Sequence, residues 1–460
     1  MTGAPVDLSR PRSIHVVGAG GAGMSAIATV LTAMGHRVTG SDLRRSTVAE
    51  RLTAGGIPVA IGHDAGNIGD ATVVTVSSAV SDANPEVEEA RRRGIPVLSR
   101  AEILAAIAGR RRCIAVAGTH GKTTTSSMLA LILVEAGLDP SFLIGGDVNE
   151  IGTNAVWGEG PWLVVEADES DGTFLALPTE IAVVTNIEAD HLDHFGSFEE
   201  LRRAFATLLD RAGFRRVASG DDPVAAELAT STGAETVGTG PGCTYRIADV
   251  TTGRSAVGFR LTGPRGVPDG RIELPIPGVH NAANAAVATV AAMAAGAPFD
   301  AAVRALARFA GVARRFEFRG EANGVTFVDD YAHLPTEVRA TLAAARTGAW
   351  SRIVAVFQPH RYSRVSALWE EFATAFDDAD VVVVTDVYGA GEAPIPGVSG
   401  RLVADAIRRA RPGLDVHYAE RRSELRHEVA SLLAPGDLCC TLGAGDLTSL
   451  PDELRAEPSW

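Results

Sequence analysis

Val116-Ala117-Gly118-Thr119-His120-Gly121-Lys122-Thr123-Thr124-Thr125 joins two runs of different pattern, and the rest of the chain is laid out around it. Before it, Cys113 to Ala117 is a short apolar run of the kind that forms a buried strand; after it, Ser126 to Glu135 has the spacing of an amphipathic helix. Lys122 and Thr123 therefore fall near a helix N-terminus, where unpaired N–H groups and the positive end of the helix dipole favour a phosphate. The stretch fits the latter part of the phosphate-loop pattern G-x-x-x-x-G-K-[ST], with Val116 in the first glycine position. Lys122 is also the only lysine in 460 residues, every other strongly basic side chain being arginine. A compact ammonium kept at this one position suits a terminal phosphate.

A chain of 460 residues is too long for one core and divides naturally into about three domains. Apolar and alanine-rich segments alternate with glycine turns, the pattern of α/β layers. The formal charge of -14 argues against a nucleic-acid partner, whose backbone needs a basic stripe, but leaves small phosphorylated ligands open. Cys113, Cys243, Cys439 and Cys440 lack metal-ligand spacing and read as reduced thiols. With no N-terminal apolar signal region and no apolar run of about 18 residues, the chain reads as soluble and cytoplasmic, without a membrane partner.

The strand Ser13 to Val17 runs into Gly18-Ala19-Gly20-Gly21-Ala22-Gly23 and a helix from Met24 to Met34, a G-x-G-x-x-G turn that lets a pyrophosphate approach the backbone. A second strand, His36 to Gly40, ends in Ser41-Asp42, with Asp42 placed for a ribose hydroxyl. Ser77 and Ser78 follow a third strand, Thr72 to Val76, at the strand end where parallel sheets bind ligands. Taken alone, this fingerprint belongs by default to a nicotinamide-dependent oxidoreductase, and that reading stays open. The first domain closes near Gly109.

In the second domain, the strand Trp162 to Val165 ends in Glu166-Ala167-Asp168-Glu169-Ser170-Asp171, and Ile181 to Thr185 runs into Asn186-Ile187-Glu188-Ala189-Asp190-His191-Leu192-Asp193-His194. Crowded carboxylates at a strand end need a balancing cation. For Mg²⁺, the oxygen donors Thr123 and Glu166 are better candidates than His191. His194 reads as structural, and Ser255 to Glu273 as antiparallel strands. Asn281 and Asn284 open an alanine-rich helix running to Ala295, where they read a base or phosphate or merely cap the helix. In the third domain, Gly311 reads as a hinge before Arg314 and Arg315. The strand ends there carry Asp330, Tyr331, His333, His360, Arg361 and Arg364, groups suited to a carboxylate.

Gly118-Thr119-His120-Gly121-Lys122-Thr123-Thr124, Glu166 to Asp171, Asp190-His191, His280 to Asn284, Arg314-Arg315-Phe316 and Asp330-Tyr331 stand in the order seen in Mur ligases, and the chain resembles that family over essentially its whole length. Gly18 to Ser25 and Gln358-Pro359-His360-Arg361-Tyr362 resemble its alanine-adding branch. The resemblance implies three α/β domains: a Rossmann-like UDP-sugar domain at 1–109, a central P-loop ATPase-like domain at 110–312, and a C-terminal Rossmann-like amino-acid domain at 313–460. It implies an ATP-dependent ligase of peptidoglycan synthesis that takes UDP-N-acetylmuramate, L-alanine and ATP, with Mg²⁺.

By the same resemblance, Gly18, Gly20, Gly21, Gly23, Asp42, Ser77 and Ser78 face the UDP-sugar. Gly118, Thr119, His120, Gly121, Lys122, Thr123 and Thr124, with Asn281 and Asn284, hold ATP, and Thr123, Glu166 and His191 serve the metal. Lys122, Glu166, His191, Arg315 and Asp330 form the catalytic set; Tyr331, His333, His360, Arg361 and Arg364 receive alanine or the growing product. As base for the alanine ammonium, His191, His333 and His360 are equally able by chemistry alone. Two departures stand out. Leu334 replaces the second of two consecutive histidines found in many relatives, and with Lys122 the sole lysine, no carbamylated lysine is available near a second metal. The latter fits the alanine-adding branch, which is not expected to need one. The nearest rival within the family adds a preformed tripeptide; a nucleotide-sensing switch would bind ATP without turning it over.

Overall fold

The computed structural model describes residues 6–456, without the side chain of Asp193. Among them the chain forms three sheets wrapped by helices. Two compact units are distinguishable: one runs to Asp249 and includes Phe259–Ile272 and Ala283–Phe309, the other holds Val250–Gly258, Glu273–Ala282 and the chain from Ala310.

The first sheet has the spatial order Val59–Ile61, Arg37–Asp42, Ser13–Val17, Val73–Val76, Val97–Ser99, every pair parallel. Strand order reverses direction between Ser13–Val17 and Val73–Val76, so the crevice for a ligand opens beyond their C-terminal ends. The central strand shows no alternation of apolar and polar faces: Ile14, Val16 and Val17 are all fully buried, as expected of a parallel sheet with helices on both sides.

In the ten-stranded sheet, Arg112–Ala117 lies between Thr179–Val184 and Trp162–Glu166, parallel to both. Val116 pairs with Val183 on one side and Glu166 on the other, and it is wholly buried. Val116 is thus still strand, and the turn that a first glycine would make falls to Gly118, at φ +135°. The two strands on the far side of Trp162–Glu166, Ser141–Val148 and Thr153–Val156, and the strands Arg215–Ser219 and Glu235–Gly238 carry no clear signal in the sequence. Short length and glycines at Gly145, Gly146 and Gly238 hide their period.

The third sheet orders Glu317–Ala322, Val325–Asp330, Leu438–Leu442, Ile353–Phe357, Val381–Thr385 and Asp415–Ala419. Only the edge pair is antiparallel. Its inner strands are buried Val, Ile, Phe and Cys, and Cys439 and Cys440 face opposite sides of it as apolar fillers; all four cysteines are free thiols.

Candidate active site

The helix Lys122–Glu135 begins at Gly121, whose φ of +77° suits a residue without a Cβ. From this first turn Lys122 folds back over the loop: Nζ donates to Gly118 O at 2.6 Å, to Thr119 O at 3.3 Å and to Glu169 Oε1 at 2.8 Å. Burial disfavours the ammonium, but Glu169, with Asp168 and Glu166 behind it, more than offsets that, and its pKa ends above the ordinary lysine value. Glu169 is 2% exposed and its Oε2 carries no hydrogen bond. Beside this pair, Thr123 Oγ1 donates to Glu166 Oε1 at 2.9 Å, while Glu166 Oε2 accepts from Gly145 N at 2.6 Å.

The strand end Thr185-Asn186 clamps the loop from below. Thr185 Oγ1 donates to His120 O at 2.6 Å, Asn186 Oδ1 accepts from His120 N at 2.7 Å, and Thr119 Oγ1 accepts from Glu188 N at 2.9 Å. His120 Nε2 lies 3.1 Å from Glu188 Oε2. A methyl on Gly121 would fall 2.5 Å from Asn284 Oδ1, so Asn284 sits against the loop. Thr124 is buried in the helix's first turn. Asn281, by contrast, donates Nδ2 to Pro277 O at 2.6 Å, tying the helix's first turn back to the preceding segment.

His191 is held by its chain neighbour. It takes the left-handed conformation, φ +54°, and its N–H and Nε2 meet Asp190 at 2.9 and 3.3 Å. Among the described residues no hydrogen bond or ion pair joins it to Thr123 or Glu166, and none gathers three His, Cys, Asp or Glu side chains about one metal position. His194 meets the Phe195 ring edge to face, with centroids 4.8 Å apart.

At the first sheet, Gly18 N and Ala19 N both donate to Ser41 O at 2.9 Å, and a methyl on Gly18 would meet Ser77 Cβ at 3.0 Å. The glycine turn, Ser77 and Asp42 thus share one edge. Ser78 follows Ser77 there in the turn after the strand. Asp42, placed by the sequence for a ribose hydroxyl, accepts from Gly20 N at 2.8 Å through Oδ2 and from Arg44 N at 3.2 Å through Oδ1, so the carboxylate braces the glycine turn. Gly21 caps the helix Ala22–Ala33, and Gly23 lies under the Arg100 guanidinium, 3.2 Å from the position of a Cβ. Arg100 and Gly23 line a cavity of about 240 Å³ whose other wall carries Gly145, Glu166 and Asp168. Within this unit, then, the glycine turn and the Lys122 loop's acids open into one space.

In the second unit, Arg314 and Arg315 lie over the Tyr331 ring at 4.9 and 5.2 Å. Arg314 is structural: it pairs with buried Asp329 at 3.2 Å and donates to Gly443 O at 2.6 Å. Asp330 accepts from Phe316 N and Ala332 N, each at 2.8 Å, and burial pushes its pKa up to about 6 despite Arg315. Leu334 is buried, and Glu337 caps that helix start by accepting from His333 N and Leu334 N. Tyr331, His333 and His360 meet edge to face in a chain, with centroids 5.4 and 5.8 Å apart, and Arg364 Nη1 lies 3.1 Å from His360 Nδ1. Arg361 sits at φ +66° before the helix Tyr362–Phe372.

Models of the Mur ligase family match three successive segments: its catalytic domain at residues 13–112, its middle domain at 116–292, and its glutamate ligase domain at 314–445. The chain belongs to the Mur ligase family. It is 47% identical over 446 residues to the UDP-N-acetylmuramate--L-alanine ligase of Geobacter sp. (strain M21), covering 96% of each chain. It is 48% identical over 464 residues to the enzyme of that name from Saccharopolyspora erythraea, covering 96% of this chain and 93% of that one. The crystal structure of the UDP-N-acetylmuramate-alanine ligase of Thermotoga maritima superposes with a TM-score of 0.82 at 30% identity, over 96% of this chain and 98% of that one. The family match over residues 13–112 supports the ligase account of Gly18 to Asp42 over the oxidoreductase.

Three participants escaped the sequence reading as individuals. Glu169 is one acid among four, Arg100, 3.7 Å from Asp168, stands in no motif, and Tyr388, whose ring stacks on His360 at 5.8 Å and 9°, lies in a loop without one. Charge excess at Asp168-Glu169 was the signal for a cation partner, but it could not say which acid faces Lys122.

Burial, with His333, Arg364 and Arg361 adding to it, pushes the His360 ring down to about 4. An unfolded imidazole protonates near 6.5, roughly its ordinary value. The unfolded chain therefore takes up a proton the folded ring refuses, and this ring's contribution to stability is lost as pH falls from about 6.5 to about 4. In urea titrations the gap between the parent and His360→Gln should narrow from pH 7 to pH 4.5; a constant gap would mean the ring titrates as if in water.

Proposed function

We propose that this chain is an ATP-dependent, ADP-forming ligase that joins L-alanine to the lactyl carboxylate of UDP-N-acetylmuramate, in the cytoplasmic stage of peptidoglycan synthesis. Residues 1–109 take the UDP-sugar, 110–312 ATP and 313–460 the amino acid. The observation that carries the reading is the sole lysine, drawn over a glycine turn onto its carbonyls and Glu169, beside the Thr123 and Glu166 pair.

In the first step the carboxylate attacks the γ-phosphorus in line, giving an acyl phosphate and ADP. Both reactants are anions. The Lys122 ammonium and the loop N–H groups screen their repulsion and the charge spreading over the transferring phosphoryl. Glu169 holds Lys122 aimed along the loop when phosphate is absent and yields it to the stronger anion. Thr123 and Glu166 present oxygens within 2.9 Å of each other, a donor set that fits Mg²⁺, and His191 joins them by family resemblance. When bound, Mg²⁺ supplies charge neutralisation at the phosphates. In the second step the amine attacks the acyl carbon and phosphate leaves; Arg361 and Arg364 suit the alanine carboxylate, and Tyr331, His333 and His360 line its side chain.

Phosphate release, measured with each substrate withheld in turn, tests this. Release is expected only when ATP, UDP-N-acetylmuramate and L-alanine are all present, and a tripeptide in place of alanine should support little. Release that continues undiminished without the UDP-sugar would defeat the proposal.

A further inference from the structure

Resting on the ligase reading above, we propose that His333, through Nε2, and not His360, is the base that takes the ammonium proton of the incoming amino acid. With His191 given to the metal in the reading above, the choice lies between two rings 5.8 Å apart, and it turns on what each Nδ1 touches.

His333 Nδ1 lies 3.0 Å from Tyr331 O and 3.2 Å from Glu337 Oε2. A carbonyl and a carboxylate only accept, so Nδ1 carries the hydrogen and Nε2 holds a lone pair. His360 Nδ1 lies 3.1 Å from Arg364 Nη1. A guanidinium only donates, so here Nδ1 is the acceptor and the neutral ring keeps its hydrogen on Nε2. Tyr388 stacks on that ring, and the two segments are laced by Tyr388 N to Pro359 O at 2.8 Å and Arg361 N to Tyr388 O at 2.9 Å.

The other groups of the cluster are occupied or unable. Both Asp330 oxygens accept backbone N–H groups, Glu337 caps the helix start, Arg315, Arg361 and Arg364 have no lone pair to offer, and Leu334 is apolar. Glu337 and Tyr331 on its own segment, and His360, Arg364 and Arg315 from neighbouring ones, face His333. Burial first, against the pull of Glu337, holds its pKa below the ordinary histidine value, so the ring is neutral and receptive at physiological pH.

The step balances as follows. His333 Nε2 takes one proton from the alanine ammonium; the freed nitrogen pair attacks the acyl carbon, and the carbon–oxygen bond to phosphate breaks. The second proton lost by nitrogen leaves with phosphate as hydrogen phosphate, and His333 returns its own to solvent.

Hydroxylamine separates base catalysis from the rest, because its nitrogen is largely unprotonated at neutral pH and needs no base. Parent and His333→Gln, given ATP, Mg²⁺ and UDP-N-acetylmuramate, are expected to form the hydroxamate at similar rates. With L-alanine, His333→Gln should lose on the order of 10²-fold in kcat, and the loss should shrink as pH is raised and free amine accumulates. Should the glutamine variant fold poorly, His333→Asn, whose amide can keep the bond to Tyr331 O, takes its place. Parent-like turnover of alanine by either folded variant overturns the proposal, as does equal loss of the hydroxylamine and alanine reactions. Absence of hydroxamate from the parent itself would instead count against the ligase reading.

Discussion

Changing Lys122 to Ala is expected to cut ADP formation by on the order of 10³-fold while UDP-N-acetylmuramate binding, followed by calorimetry, stays within a few-fold of the parent. The loss is large because the lysine opposes charge that grows in the transition state, at the end of a loop whose carbonyls hold its Nζ at 2.6 and 3.3 Å. With the UDP-sugar assigned as proposed, its binding is spared because the Gly18 turn, Ser77 and Asp42 brace one another without Lys122. The variant also strands Glu169, which is 2% exposed and would have lost its cation; breaking such a pair costs about 3 kcal/mol of stability. Lys122→Ala combined with Glu169→Gln should therefore regain stability without regaining turnover. A double variant that recovered ADP formation would assign the ammonium a structural role only.

Gly118→Ala is expected to lower turnover by about 10²-fold, the order seen when reacting groups are misplaced by roughly 1 Å. A Cβ there would sit 2.1 Å from Thr185 Oγ1 and 3.0 Å from Asn186 N, on a residue at φ +135°. Thr185 cannot withdraw cheaply, since its hydroxyl ties down His120 O, and Asn186 N is backbone. Gly121→Ala makes the useful contrast. Its Cβ meets the Asn284 amide, the far end of a side chain that can swing away, so strain at φ +77° is the main cost. Steady-state kcat and KM for ATP on both variants decide it: equal effects would mean that the Thr185 clamp does not set the loop.

Much of this was legible in the residues themselves. The strands that carry the loop and the glycine turn are unbroken apolar runs because both sheet faces are covered, and the turns after them are marked by glycine. What could not be read was which of several equivalent side chains points where. Asn281 and Asn284, three apart at one helix start, have different partners. Glu166 and Glu169 divide their work between Thr123 and Lys122, and their spacing says nothing of that. Ser141–Val148 was missed because Gly145 and Gly146 interrupt its apolar run, yet Gly145 is small for a reason: a methyl there would meet Glu166 Oε2 at 2.7 Å. Tyr388 has no local signal at all; only the parallel bridge to His360 gives it meaning.

The most direct measurement uses UDP-N-acetylmuramate labelled with ¹⁸O in its lactyl carboxylate. If the carboxylate takes the γ-phosphoryl group beside Lys122, phosphate released in the presence of ATP and L-alanine carries one labelled oxygen per turnover. Phosphate released with no label would contradict phosphoryl transfer to the carboxylate and, with it, the function assigned to the loop.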